Sequence, residues 1–288
     1  MYTKIILLFL FTLNIYAQEV VTTLPEFEWI VNQLSPETKT HTLLRGTEDP
    51  HFVDASPGFI FKLANAKLLV LNGMQLEIGW LPKIIEMSGN KNIQTATKGY
   101  CDASKKVSKL GVVEKYDRSM GDVHSDGNPH YTISIPRMIE ASESIKDCLL
   151  QSSFISKSAS KEIKSNFLKL KKRLQITFKE IKDKTRKSKF YVYHQEFAYL
   201  EKDFDLKLLQ SLEKTPGVLP SASYLARKAK MAKSQMPKKV LAGSTGPKKI
   251  LDKFKEMSGI DYDLLPLHPE QGEDYLLFIK KLMVKIND

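Results

Sequence analysis

Residues 56–73, SPGFIFKLANAKLLVLNG, change their periodicity halfway along. In the first part the apolar side chains return every three to four positions, the spacing of one helical face. From Leu68 to Leu71 they become continuous, as in a strand covered on both sides, and Asn72-Gly73 ends the run. A helix feeding a buried parallel strand is the repeating unit of α/β architecture. Upstream, residues 19–34 (EVVTTLPEFEWIVNQL) read as strand, turn and helix, with Phe27, Ile30, Val31 and Leu34 on one helical face. Downstream, Leu76-Glu77-Ile78-Gly79-Trp80 is expected to begin the next helix. Together these units form a small N-terminal α/β lobe over 18–145.

From Ile133 to about Arg186 the apolar spacing is helical, broken by serine-rich stretches. Two readings fit: one long helix spanning two lobes, or two packed helices. Residues 146–186 are assigned to this linking segment. A second α/β lobe, 187–288, opens with 189–206 (KFYVYHQEFAYLEKDFDL), a strand running into a helix. It continues through an extended loop at 215–220, a lysine-rich helix, the strand KKVLAG, a helix after Pro247, the segment IDYDLLPL and a closing helix. The expected fold class is α/β, with two lobes joined by a long rigid backbone helix.

The first residues, MYTKIILLFLFTLNIYA, carry one lysine, an apolar run and a small residue at Ala17. They read as a cleaved signal peptide over 1–17, too short for an ordinary membrane span. The alternative is an uncleaved anchor. Export would place Cys101 and Cys148, the only cysteines, in an oxidising compartment that permits a disulfide. Nothing in the sequence fixes their separation, so pairing stays open. The net charge of +11 comes from lysines spread along helices, without the aromatic stacking positions of a nucleic-acid surface. Nucleic acid is therefore excluded as a partner, and the surplus reads as solvated surface suited to anionic envelope lipids or an acidic partner.

Three histidines stand in short polar segments: His51 after Glu48-Asp49-Pro50, His130 after Asn128-Pro129, and His194 at the end of the strand in 189–206. Neutral imidazole is a common zinc ligand, and three rings gathered by folding supply most of a tetrahedral shell. The open sheets of α/β lobes bind ligands at strand ends, which places such a site in the interlobe cleft. His124 reads either as a transient second ligand or as an exposed loop residue. His41, between Thr40 and Thr42, carries no ligand signal.

Segments 22–34, 48–57, 68–85, 121–131, 189–206 and the C-terminal helix together resemble the cluster of periplasmic binding proteins that deliver zinc or manganese to ABC importers. The resemblance covers nearly the whole chain beyond the signal segment. It implies two lobes on a backbone helix, no catalytic activity, a periplasmic location, a monomer, and cargo metal held by His51, His130 and His194. It also implies a membrane permease as partner. The ATPase subunits must be separate, because no GxxxxGKS/T loop is present and AGSTGPKK has the wrong spacing. Relatives often place an aspartate before Pro-Leu near the last strand, where this chain has Leu265. His268 is the favoured fourth ligand, with Asp263, Glu270 or water as alternatives. Asp49 and Glu196 are candidates for orienting the rings. Zn2+ is the expected cargo, with Mn2+ as the alternative. A metal-dependent adhesin and a zinc hydrolase using Glu196 as base are the competing functions.

Overall fold

The computed structural model describes residues 20–54, 56–113 and 124–288. The segment read as a signal peptide lies outside the described residues. The first lobe runs β1 (Val20–Thr22), α1 (Pro25–Leu34), β2 (Thr40–Thr42), α2 (Pro57–Ala64), β3 (Leu68–Leu71), α3 (Leu81–Met87) and β4 (Tyr100–Asp102). Its sheet is parallel throughout, in the order β2-β1-β3-β4. Helices α4 (Ile135–Gln151) and α5 (Lys157–Lys184) follow. The second lobe contains β5 (Lys189–Val192), α6 (Ala198–Phe204), β6 (Lys207–Ser211), α7 (Ala222–Gln235), β7 (Val240–Gly243), α8 (Lys248–Ser258) and β8 (Tyr262–Leu265). Its parallel order, β6-β5-β7-β8, repeats that of the first sheet. The chain closes with α9 (Tyr275–Asn287).

The linking region is two helices rather than one. Ser152 and Ser156 adopt extended backbone conformations that break the helix, and the Ser156 side chain then caps α5 by accepting from the Ala159 N–H. At 28 residues, α5 is about 42 Å long. It buries Ile163, Phe167, Leu170, Leu174 and Ile181 on one stripe.

One apolar core extends from the first sheet through α1, α4, α5 and α9 to one face of the second sheet, where Phe190, Val192 and Leu241 join it. A smaller core on the opposite face is closed by Leu225 and Ala229 of α7 and by Leu251 and Phe254 of α8. Helix α9 also reaches back to the first lobe. Trp29 Nε1 donates to Asp274 at 3.1 Å, and the Tyr275 hydroxyl donates to the Thr132 carbonyl at 2.7 Å.

Residues 74–80 form turns, and the expected helix begins only at Leu81. The cause is Glu77, whose carboxylate folds back to accept from the Asn72 N–H at 2.7 Å, the Gly73 N–H at 3.3 Å and the Thr23 hydroxyl at 2.7 Å. Burial pushes its pKa up to about 7, although those hydrogen bonds pull the other way.

Cys101 of β4 and Cys148 of α4 form a disulfide, with Cα atoms 5.9 Å apart across a sequence separation of 47. The bond ties the edge of the first sheet to the linking helices. By the loop-closure argument, the Cys101→Ala/Cys148→Ala variant should lose about 2–4 kcal/mol of unfolding free energy in denaturant titration. An unchanged midpoint would show that the bond constrains nothing the packing has not already fixed.

Candidate metal centre

Each of the four histidines selected from the sequence follows the carboxyl end of a strand. His51 lies in the loop after β2, His130 in the crossover after β4, His194 directly after β5 and His268 just beyond β8. All four line one cavity of 170 Å³ between the lobes. Parallel strands pointing their carboxyl ends into a crevice place loop side chains there without disturbing the sheets.

The His51 loop is fixed by the Trp80 indole, which donates to the Pro50 carbonyl at 2.8 Å. Asp49 Oδ1 accepts from the His51 backbone N–H at 3.0 Å and pairs with its Nδ1 at 2.8 Å. Burial opposes ionisation of Asp49, but the bond and charge of His51 outweigh it and hold the carboxyl below its usual range. Gly46, at φ 91°, lets this loop meet the second lobe, since a Cβ there would stand 1.9 Å from the Pro269 carbonyl oxygen.

His130 sits on a scaffold built from Asn72. The Asn72 amide donates to the Pro129 carbonyl at 3.1 Å, and the Tyr131 hydroxyl donates to the Asn72 carbonyl at 2.8 Å. Asn128 accepts from the His130 N–H at 3.0 Å and donates across the cleft to the Gln195 carbonyl at 2.8 Å. Desolvation, followed by the neighbouring histidines, lowers the His130 pKa well below 6.5, so its ring is neutral. Its Nε2 is buried without a hydrogen-bond partner.

In the second lobe, His194 Nδ1 pairs with Glu213 Oε2 at 2.5 Å. His268 Nδ1 pairs with Glu26 Oε1 at 2.7 Å, from second lobe to first, and His268 Nε2 is buried without a partner. Desolvation works against the charged His268 ring, yet Glu26 and the other carboxylates keep its pKa above 6.5. His51, His194 and His268 therefore repeat one arrangement: a carboxylate accepts a hydrogen bond from Nδ1–H, which in the neutral ring puts the lone pair on Nε2.

Two imidazoles on one tetrahedral zinc have nitrogens about 3.3 Å apart and ring centres about 5 Å apart. His51 and His130 have ring centres 5.2 Å apart, and His130 and His194 5.5 Å. His124 also reaches His51, with Nε2 atoms 3.2 Å apart and ring centres at 5.2 Å. Among the described residues, no three or more His, Cys, Asp or Glu side chains are already gathered as a metal-holding group. The rings must turn about their side-chain bonds to share one ion.

Of the alternatives for the fourth ligand, Asp263 is engaged by Lys239 at 2.7 Å and Glu270 is exposed; neither lines the cavity. Glu196 does line it. Its Oε1 accepts from the Gly243 N–H at 3.3 Å, its Oε2 has no partner, and burial raises its pKa. Sequence reading missed Glu26, 242 positions from His268, and Glu213, 19 positions from His194, which touch the rings only in the folded chain. It also missed the contact of His124 with His51.

The family profile described as zinc-uptake complex component A, periplasmic (ZnuA), matches residues 20–288. No curated protein matches the chain. Among solved structures, a ZnuA deletion mutant with zinc bound superposes with TM-score 0.77 at 20% identity, covering 94% of this chain and 97% of the other. Two structures of a periplasmic metal-binding protein from Candidatus Liberibacter asiaticus are also similar. A manganese-bound mutant gives TM-score 0.75 at 20% identity, and a cadmium-bound form gives 0.73 at 19%; each covers 94% of this chain and 98% of the other. At these identities the structures establish a shared fold.

If His268 serves the ion through Nε2, it must give up its Nε2 proton, which the Glu26 charge beside Nδ1 helps the ring to retain. Zinc affinity should then fall on acidification from above pH 6.5, while His130, already neutral, adds nothing to that loss. Glu26→Gln keeps an acceptor for Nδ1 but removes the charge. Titrations across pH should show the acid limb displaced to lower pH and affinity at pH 8 reduced about 10–100-fold. An unmoved limb would dissociate His268 from the ion.

Proposed function

This chain belongs to the ZnuA family of periplasmic zinc-uptake components and is a metal-binding part of an ABC import system, not an enzyme, and we propose that its cargo is zinc held by His51, His130, His194 and His268. The observation that carries this reading is the repeated pairing of Nδ1 with a buried or half-buried carboxylate. Such pairing fixes tautomer and ring direction and raises the basicity of Nε2. An all-nitrogen shell suits zinc better than manganese, which gains more from carboxylate oxygen. That zinc, manganese and cadmium each occupy structures of the same fold supports a divalent cation as cargo and makes the donor set the deciding factor.

The partner is a membrane permease with separate ATPase subunits, and the protein acts as a monomer. The lobes are taken as 18–145 and 187–288, with 146–186 linking them and α9 returning to the first. Because a single core runs through both lobes, occupancy is passed to the permease through the loops around the ion rather than by wide hinge closure.

Calorimetric titration of metal-stripped protein is expected to show one-to-one zinc binding in the submicromolar range, with manganese weaker. The His51→Ala/His130→Ala/His194→Ala variant should lose it. Manganese bound more tightly than zinc would reject the proposed cargo, and unchanged zinc binding in the variant would reject the site.

A further inference from the structure

Helix α5 carries nine lysines and one arginine against Glu162, Glu180 and Asp183, so it supplies +7 of the chain's net +11. Because Ile163, Phe167, Leu170, Leu174 and Ile181 face inward, helical periodicity puts Lys161, Lys172 and Lys179 on the opposite side, with Lys164 and Lys169 flanking them. All five are exposed, and among the described residues none of them forms an ion pair. Two aliphatic side chains project between these lysines: Leu168 is 66% exposed and Ile176 49%. Helix α9, joined to α5 by the Lys280–Glu180 pair at 3.2 Å, continues the pattern. Its Leu277 and Val284 are 49% and 56% exposed beside Lys280 and Lys281.

We propose that the outer faces of α5 and α9 form a docking surface for an anionic lipid bilayer. Lysines would lie among lipid phosphates while the four aliphatic side chains enter the headgroup boundary, the combination used by helices that rest on membranes. Charge complementarity selects anionic lipid, and the interleaved aliphatic groups have no use on a purely ionic partner. No aromatic side chain is exposed on either helix for base stacking, which argues against nucleic acid. Among the described residues no helix is long and apolar enough to cross a membrane, so contact through this face is peripheral. The proposal does not depend on the identity of the cargo. It would keep a metal carrier near the membrane where its permease resides.

The test is co-sedimentation of the whole chain with vesicles of phosphatidylglycerol and phosphatidylcholine in equal parts, against vesicles of phosphatidylcholine alone. Binding is expected to the anionic vesicles only, and to be lost as NaCl rises from roughly 0.05 to 0.5 M. A lysine near an anionic surface contributes about fivefold to partitioning, so Lys161→Glu/Lys172→Glu/Lys179→Glu should lower it about 100-fold or more. Lys230→Glu/Lys233→Glu/Lys249→Glu makes the same charge change at exposed positions on α7 and α8. It should leave partitioning within about threefold, and Leu168→Ser/Ile176→Ser should weaken it several-fold. Thermal melting and zinc titration of each variant check that fold and cargo site persist. Absence of binding to anionic vesicles, equal loss in both lysine variants, or equally tight binding to soluble polyglutamate would overturn the proposal.

Discussion

His268 and Glu26 come from opposite lobes, and their 2.7 Å contact joins ring orientation to lobe placement. Glu26 is fully buried at the start of α1, and its second oxygen has no partner. A carboxylate so placed is costly to desolvate, and the histidine proton offsets part of that cost. Each group explains the other: the carboxylate holds Nδ1, the ring shields the charge, and Nε2 is left facing the cleft. Asp49 does the same for His51, and Glu213 for His194, each within its own lobe. A cation arriving among these rings would meet neutral nitrogen in front and negative charge behind, which compensates for the water it sheds.

The packing keeps these parts in register. Two parallel sheets of the same strand order direct their loops toward one crevice, but the first lobe does not close its core alone. Helix α9 returns to pack with α1, while Arg137 and Ser134 meet Asp203 across the junction of the lobes. Asn128 links the His130 loop to Gln195 and accepts from the Tyr199 hydroxyl at 2.8 Å. With these bonds and a shared core between them, the lobes are packed against independent rotation.

The parts of the fold legible in the sequence were those with a strong local pattern. The continuous run Leu68–Leu71 and the segment from Lys189 to His194 gave β3, β5 and the position of His194 from periodicity alone. Strands β2 and β4, at three residues each, are too short to display a period, and β6 falls between the helix read to Leu206 and the loop read from Thr215, in a stretch given no element. The turn at 74–80 contradicted its helix-like spacing because Glu77 captures backbone donors, a tertiary effect that composition does not reveal. The histidines stood out because the loops carrying them are polar and short. Their carboxylate partners did not: Glu26 lies 242 positions from His268, and only Asp49, two residues from His51, was near enough to suspect. Pairing of Cys101 with Cys148 likewise required knowing that α4 lies against β4.

The proposed zinc shell is rich in nitrogen and backed by carboxylates. X-ray absorption at the zinc edge of the loaded protein tests it most directly. Four nitrogen neighbours at about 2.0–2.1 Å with strong imidazole scattering are predicted, falling to three in His268→Ala. A shell dominated by oxygen, or one unchanged by that substitution, would rule out a four-histidine site.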